Sequence, residues 1–67
     1  MAKDTLNGRE ILVEFYPVGQ IVKVSAMDTQ TLTEVVIQGP AYASSETLIH
    51  NVKKRLEYVL RKRGYIK

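Results

Sequence analysis

The fold follows from residues 9–27, which read REILVEFYPVGQIVKVSAM. On either side of Pro17-Val18-Gly19-Gln20, apolar and polar residues alternate, and β-branched and aromatic side chains are frequent. A period of two is typical of strands, and Gly19 supplies the positive φ that a tight turn requires. The segment therefore predicts a β-hairpin with strands over residues 9–16 and 21–27.

The alternation also predicts how the two strands pair. Folding about Val18-Gly19 places Val13 opposite Val24 and Glu14 opposite Lys23. Apolar side chains then meet on one face, while opposite charges meet on the other. A slip of one residue would turn every apolar side chain to the wrong face, so the pattern specifies which face each strand presents to the core.

A third strand is predicted over residues 33–38, with Val35 and Ile37 directed toward the core. The polar residues 28–32 form the loop before it. Gly39-Pro40 ends the strand, because proline has no amide hydrogen for the ladder. Two registers against the second strand, two residues apart, both keep the apolar residues on the core face, and the sequence leaves both open.

The C-terminal part of the chain predicts one amphipathic helix. Ser44 or Ser45 suits the N-cap, and Glu46 places a negative charge in the first turn. Gly64 suits the left-handed position just after the helix, which extends to residue 63. The apolar residues of the helix fall within an arc of about 120°; they are Leu48, Ile49, Val52, Leu56, Val59 and Leu60.

These elements predict an α+β fold, in which a three-stranded antiparallel β-meander (order 1-2-3) carries one C-terminal amphipathic helix on one face. Residues 1–8 show no periodicity and end in the turn signal Asn7-Gly8. We therefore expect them to form a flexible N-terminal tail before a single domain over residues 9–67.

Length and composition exclude several classes of protein. A chain of 67 residues allows one small domain, and without cysteine it has no disulfide, no thiol nucleophile and no cysteine-based zinc site. The first ten residues carry charges of both signs and no apolar run, unlike a signal peptide, and no later apolar run is long enough to span a membrane. We therefore expect a cytoplasmic protein.

The net charge of +3 is distributed unevenly. Residues 1–50 carry three Lys or Arg against six Asp or Glu, whereas residues 51–67 carry seven against one. Such a basic segment is either a solvated helix face or a nucleic-acid contact. Tyr58 lies among the basic residues, and an aromatic ring on which a base can stack favours the nucleic-acid contact. The candidate nucleic-acid contacts are Lys53, Lys54, Arg55, Tyr58, Arg61, Lys62 and Arg63.

The sheet face that the helix does not cover is the second candidate surface. It is predicted to be half apolar, with Tyr16 beside Ile21, which is more than single exposed apolar residues explain in a small monomer. A protein partner or a second copy of the chain would bury this surface. The candidate interface residues are Leu12, Tyr16, Ile21, Met27 and Val36.

Catalysis is not expected. His50 is the single histidine, and Glu46 one turn earlier is its nearest acidic neighbour on the helix, which predicts an exposed histidine rather than a metal ligand or a general base. No pair of carboxylates and no glycine-rich phosphate loop has the spacing that chemistry requires. We therefore predict no catalytic residue, metal or cofactor.

The chain also resembles a family of small uncharacterised proteins from alphaproteobacteria. The residues that carry the resemblance are Val13-Glu14-Phe15, Val18-Gly19, Val22-Lys23-Val24, Thr33-Glu34-Val35, Gly39-Pro40-Ala41 and Leu56-Glu57-Tyr58-Val59-Leu60. The resemblance covers about residues 10–63 and implies a βββα fold in a cytoplasmic bacterial protein, with no active-site residue to transfer. Leu32 departs from it, since a glycine would be natural in that loop.

The prediction from sequence is thus a small non-catalytic binding module. Its first function is protein interaction or self-association through the open sheet face, and the alternative is nucleic-acid binding through the basic helix.

Overall fold

A computed structural model describes residues 2–67, and it contains a four-stranded antiparallel sheet and one helix. The strands are β1 (Ala2–Leu6), β2 (Arg9–Val18), β3 (Ile21–Asp28) and β4 (Glu34–Pro40), and the helix is α1 (Ser45–Lys62). The sheet order is β1-β2-β3-β4. The α+β class, the meander and the C-terminal helix are confirmed, but the predicted three-stranded sheet is wrong.

The additional strand comes from the segment that was expected to be a flexible tail. Residues 2–6 pair with β2, with Ala2 opposite Val13 and Leu6 opposite Arg9. The connection Asn7-Gly8 has positive φ at both residues, 52° and 75°, as a type I′ hairpin turn requires. Met1, which belonged to the expected tail, lies outside the described residues.

The predicted register of the β2–β3 hairpin is wrong by two residues. Val13 lies opposite Ala26 and Glu14 opposite Ser25, while Lys23 lies opposite Tyr16. The loop consists of Gly19 and Gln20 alone, with φ of 62° at the glycine, which is the type II′ arrangement. Because the error is an even number, every side chain keeps its predicted face.

β4 pairs with β3 in one of the two registers that the sequence left open, with Ala26 opposite Val35 and Val24 opposite Ile37. The strand does not end before Gly39-Pro40 but includes both residues. Proline is accepted there because β4 is an edge strand, on which an amide hydrogen can be missing without breaking the ladder.

The helix begins and ends as local rules predict. Ser44 is the N-cap, and its hydroxyl accepts a hydrogen bond from the Thr47 amide at 3.1 Å. At the other end Gly64 has a φ of 84°, its amide bonds the Arg61 carbonyl, and the Tyr65 amide bonds that of Leu60, which is a Schellman ending.

One face of α1 packs on the sheet, above β3 and β4, and forms the core. The hydrophobic residues with no exposed surface come from both layers, and they lie on the faces that the sequence predicts to be buried. They are Ile11, Val13, Val24, Ala26, Val52, Leu56 and Leu60.

A buried ion pair joins the start of β2 to the end of β3. The Arg9 guanidinium donates to both carboxylate oxygens of Asp28, at 3.0 and 2.9 Å, and Asp28 has no exposed surface. The amide and the hydroxyl of Thr31 also donate to this carboxylate. The bonds from Arg9 lower the pKa of Asp28 to about 2, although burial acts in the opposite direction.

Candidate interaction surfaces

The sheet has one face without a helix, which we call the open face. Since side chains alternate along each strand, those between the core residues point to it. Among the five candidate interface residues, Tyr16, Ile21 and Val36 are exposed, with 56% of Val36 accessible, whereas Leu12 and Met27 are half-buried. All five lie on this face, but they do not form one continuous apolar patch.

The register decides which of these residues meet. Leu12 lies directly opposite Met27 on the neighbouring strand, so these two form a cross-strand pair. Tyr16 lies opposite Lys23 and not beside Ile21, so the predicted juxtaposition of the two is wrong.

Ile21 pairs with Val18 at the end of the hairpin, and both are exposed. Val18 was missed in the sequence, because it was assigned to the turn. The signal for a two-residue loop was Gly19 followed by the polar Gln20, and a loop of these two residues would have placed Val18 in the strand.

Polar groups occupy the centre of the open face. The Tyr16 hydroxyl donates to a carboxylate oxygen of Glu14 at 2.7 Å, and this hydrogen bond raises the pKa of Tyr16. Ser25, between Glu14 and Val36 in the ladder, is almost fully buried. The face therefore combines exposed apolar side chains with an anchored tyrosine, a mixture common in protein interfaces.

The hairpin end of the molecule is apolar and uncharged. Residues 15–22 and 39–45 contain no Asp, Glu, Lys or Arg. Tyr42, in the loop before α1, is 91% exposed. A shallow cavity of about 240 Å³ lies beside this loop, and its lining is mostly apolar, from Phe15, Pro17, Val22, Ala41, Ala43, Ser45 and Leu48.

Two of the candidate nucleic-acid contacts are held by acidic neighbours. The Lys53 ammonium lies 3.1 Å from a carboxylate oxygen of Asp4 on β1, and Arg61 lies 3.7 Å from Glu57. The pKa of Asp4 is lowered, first by the hydrogen bond from the Thr5 amide and then by Lys53. These two cations are therefore partly neutralised before any phosphate approaches.

Three other candidate contacts form one cluster on the exposed side of α1. The Arg55 guanidinium and the Lys62 ammonium lie 5.8 and 5.7 Å from the centre of the Tyr58 ring. The ring is 53% exposed. Lys54 and Arg63 are also exposed, but neither has a cation–π contact with Tyr58 in residues 2–67.

His50 lines a shallow cavity of about 330 Å³ with Leu6, Lys53, Lys54 and Glu57. The histidine is exposed, and the described residues contain no group of three His, Asp or Glu side chains placed to hold a metal ion. In residues 2–67, no helix is long and apolar enough to cross a membrane.

Comparison with known families gives one match. A model for a domain of unknown function, DUF6898, matches residues 8–63, which is most of the chain. The chain belongs to this family. The resemblance to a family of uncharacterised proteins is thereby confirmed, and the match covers β2 to α1 but not β1. No curated protein and no solved structure matches the chain.

Proposed function

We propose that this protein is a non-catalytic interaction module that binds a protein partner, either a second copy or another chain, through the open face. The observation that carries the proposal is the set of exposed apolar side chains on the sheet face that α1 leaves uncovered, with Tyr16, Val18, Ile21 and Val36 as its members.

The size of the domain supports this function. Burying a large apolar side chain is worth about 1.5–3 kcal/mol, and a domain of this length has a small core. Covering Ile21 and Val36 with a partner would add burial that the isolated chain lacks. The hydroxyl of Tyr16, already bonded to Glu14, offers a polar contact at the same surface.

Sedimentation equilibrium over micromolar to millimolar concentrations tests self-association through this face. We expect Ile21→Asp and Tyr16→Asp to lower the mass average, because a carboxylate would be buried in the contact. Gln30→Asp, in the β3–β4 loop, adds the same charge away from the face and is the matched control. Circular dichroism checks that each variant folds.

A different partner is tested with wild type and Ile21→Asp as paired baits. A protein that binds the wild type and Gln30→Asp but not Ile21→Asp, with affinity measured on the purified pair, supports the proposal. If neither the mass of the protein nor any purified partner responds to Tyr16→Asp and Ile21→Asp, the open face is not the binding surface.

A second candidate function is nucleic-acid binding through α1. The specific observation that favours it is the Tyr58 ring, exposed and flanked by Arg55 and Lys62. A base can stack on such a ring while the two cations contact phosphates. This candidate ranks second because Lys53 and Arg61 are engaged by carboxylates.

Fluorescence anisotropy with labelled single- and double-stranded oligonucleotides tests this candidate. Binding of an oligonucleotide should weaken steeply as salt rises, because Arg55 and Lys62 would contact phosphates. It should also weaken in Tyr58→Ala, because stacking on an aromatic ring is worth about 1–3 kcal/mol per base. Tyr42→Ala removes a still more exposed ring, in the loop before α1, and is the control. Absence of binding at low ionic strength excludes the candidate.

The alphaproteobacterial origin and the cytoplasmic location stay predictions. The absence of cysteine favours the cytoplasmic location, because small secreted domains usually carry disulfides.

A further inference from the structure

The two edge strands of the sheet differ in how they are protected against pairing. Natural edge strands are often blunted by charged side chains, lysine above all. β1 is short and carries Lys3 and Asp4. β4 reads EVVIQGP, so it has no charge after Glu34, and its proline comes at the end of the strand. The outer edge of β4 is therefore the unprotected one.

The backbone of β4 presents regularly spaced groups on its outer side. The Asp28 amide donates to the Thr33 carbonyl, and the Ala41 amide donates to the Gln20 carbonyl. Thr33 and Ala41, the odd-numbered residues on either side of β4, therefore direct their backbone groups to β3. In an antiparallel ladder, alternate residues direct both their N–H and their C=O to the same neighbour. The amides and carbonyls that point away from β3 are therefore those of Glu34, Val36 and Gln38.

These outward groups are self-complementary in one arrangement. If two β4 strands run antiparallel with Val36 opposite Val36 of the second copy, Glu34 lies opposite Gln38 of that copy, and the reverse. Every outward N–H and C=O of the three residues then finds a partner, which gives about six backbone hydrogen bonds. The Gln38 side-chain amide can donate to the Glu34 carboxylate, whereas two glutamates never face each other.

We propose that two copies of this chain pair through the outer edges of β4 in this register, which makes one eight-stranded antiparallel sheet. The pairing is twofold symmetric and therefore closes as a dimer. Since Val36 keeps its face, both helices lie on one side and the two open faces join on the other. The contact is made by the backbone edge of β4, and although the Val36 side chain also belongs to the open face, the pairing does not depend on the function proposed for that face.

Gln38→Pro tests the contact, because it removes one outward amide hydrogen from each copy and leaves the bonds to β3 intact. Proline is tolerated at such an edge position. Lys3→Pro is the matched control, since Leu6 and Arg9 close the β1–β2 turn and the backbone N–H of Lys3 therefore points outward from the other edge of the sheet. We expect sedimentation equilibrium to show a wild-type dimer whose Kd rises at least about tenfold in Gln38→Pro only.

The variant Tyr16→Asp distinguishes this contact from the open face. The edge dimer should persist in Tyr16→Asp, whereas an open-face dimer should persist in Gln38→Pro. A wild-type chain that stays monomeric at millimolar concentration overturns the proposal. A dimer that Gln38→Pro does not weaken, although circular dichroism shows an intact fold, also overturns it.

A second variant tests the register without changing the backbone. In Val36→Cys, the chain has a single thiol, because the natural sequence contains no cysteine. Directly opposed residues of an antiparallel pair have Cα atoms about 5.5 Å apart, within the range of a disulfide. Mild oxidation should give a covalent dimer for Val36→Cys and not for Ile21→Cys. Cross-linking of Ile21→Cys alone would contradict the register.

Discussion

The ion pair of Arg9 and Asp28 makes a quantitative prediction about stability. In the folded chain the pKa of Asp28 is about 2, compared with 3.8 for an ordinary aspartate. A difference of this size corresponds to about 2 kcal/mol of folding free energy. Because the pKa is lower in the folded state, this stability is complete above about pH 5 and is lost as the pH falls toward 2.

The substitution Asp28→Asn removes the charge and keeps the shape of the side chain. Its amide nitrogen would face the Arg9 guanidinium, so a donor meets a donor, and the cation, with 14% of its side chain exposed, loses its partner. Breaking a buried pair costs about 3–5 kcal/mol, and the remaining exposure of Arg9 reduces this to about 2–3 kcal/mol. A domain of this length has about 3–10 kcal/mol in total, so the loss is large.

Urea unfolding of wild type and Asp28→Asn, repeated between pH 7 and pH 2, measures this contribution. The free-energy difference between the two proteins should be about 2–3 kcal/mol at pH 7 and should shrink by about 2 kcal/mol as Asp28 is protonated. Asp4→Asn, which removes the partly exposed pair with Lys53, should cost less than about 1 kcal/mol. If the free-energy difference between wild type and Asp28→Asn stays constant with pH, the ion pair of Arg9 and Asp28 does not make this contribution to stability.

Two further substitutions test close packing and backbone strain. A Cβ added at Gly39 would lie 2.5 Å from a terminal methyl carbon of Leu48, so Gly39→Ala should cost about 1 kcal/mol in urea unfolding. In a Leu48→Val background, which lacks that carbon, Gly39→Ala should cost almost nothing. Leu32 has a φ of 60° and is 69% exposed, so Leu32→Gly should raise stability by about 1 kcal/mol in thermal unfolding, whereas Leu32→Ala keeps the strain and should give no gain.

The candidate surfaces were predicted in part. All five interface residues lie on the open face, because alternation along a strand depends only on parity. Their grouping into pairs was not predictable in the same way, since Tyr16 meets Lys23 only in the register that the two-residue turn imposes. On the helix, the spacing of Arg55, Tyr58 and Lys62 brings them together, but the engagement of Lys53 depends on Asp4, 49 residues earlier.

Local rules were sufficient for the helix and for the faces of the strands β2, β3 and β4. The Ser44 cap and the Gly64 ending need only neighbouring residues, and a buried face follows from periods of 2.0 and 3.6. Residues 2–6 lack such a pattern, and Asn7-Gly8 was interpreted only as a turn after a flexible tail. They form a strand because β2 offers an unpaired edge and because α1 supplies Lys53 to Asp4.

The pairing of Arg9 with Asp28 depends even more on tertiary structure. The two residues are 19 positions apart, and neither has a local motif that indicates the other. Their side chains meet only because a two-residue turn sets the β2–β3 register, and because the loop that follows closes over the carboxylate with Thr31. Local sequence therefore determined the faces and the ends of the elements, while long-range contacts decided the register, the fourth strand and the buried charge pair.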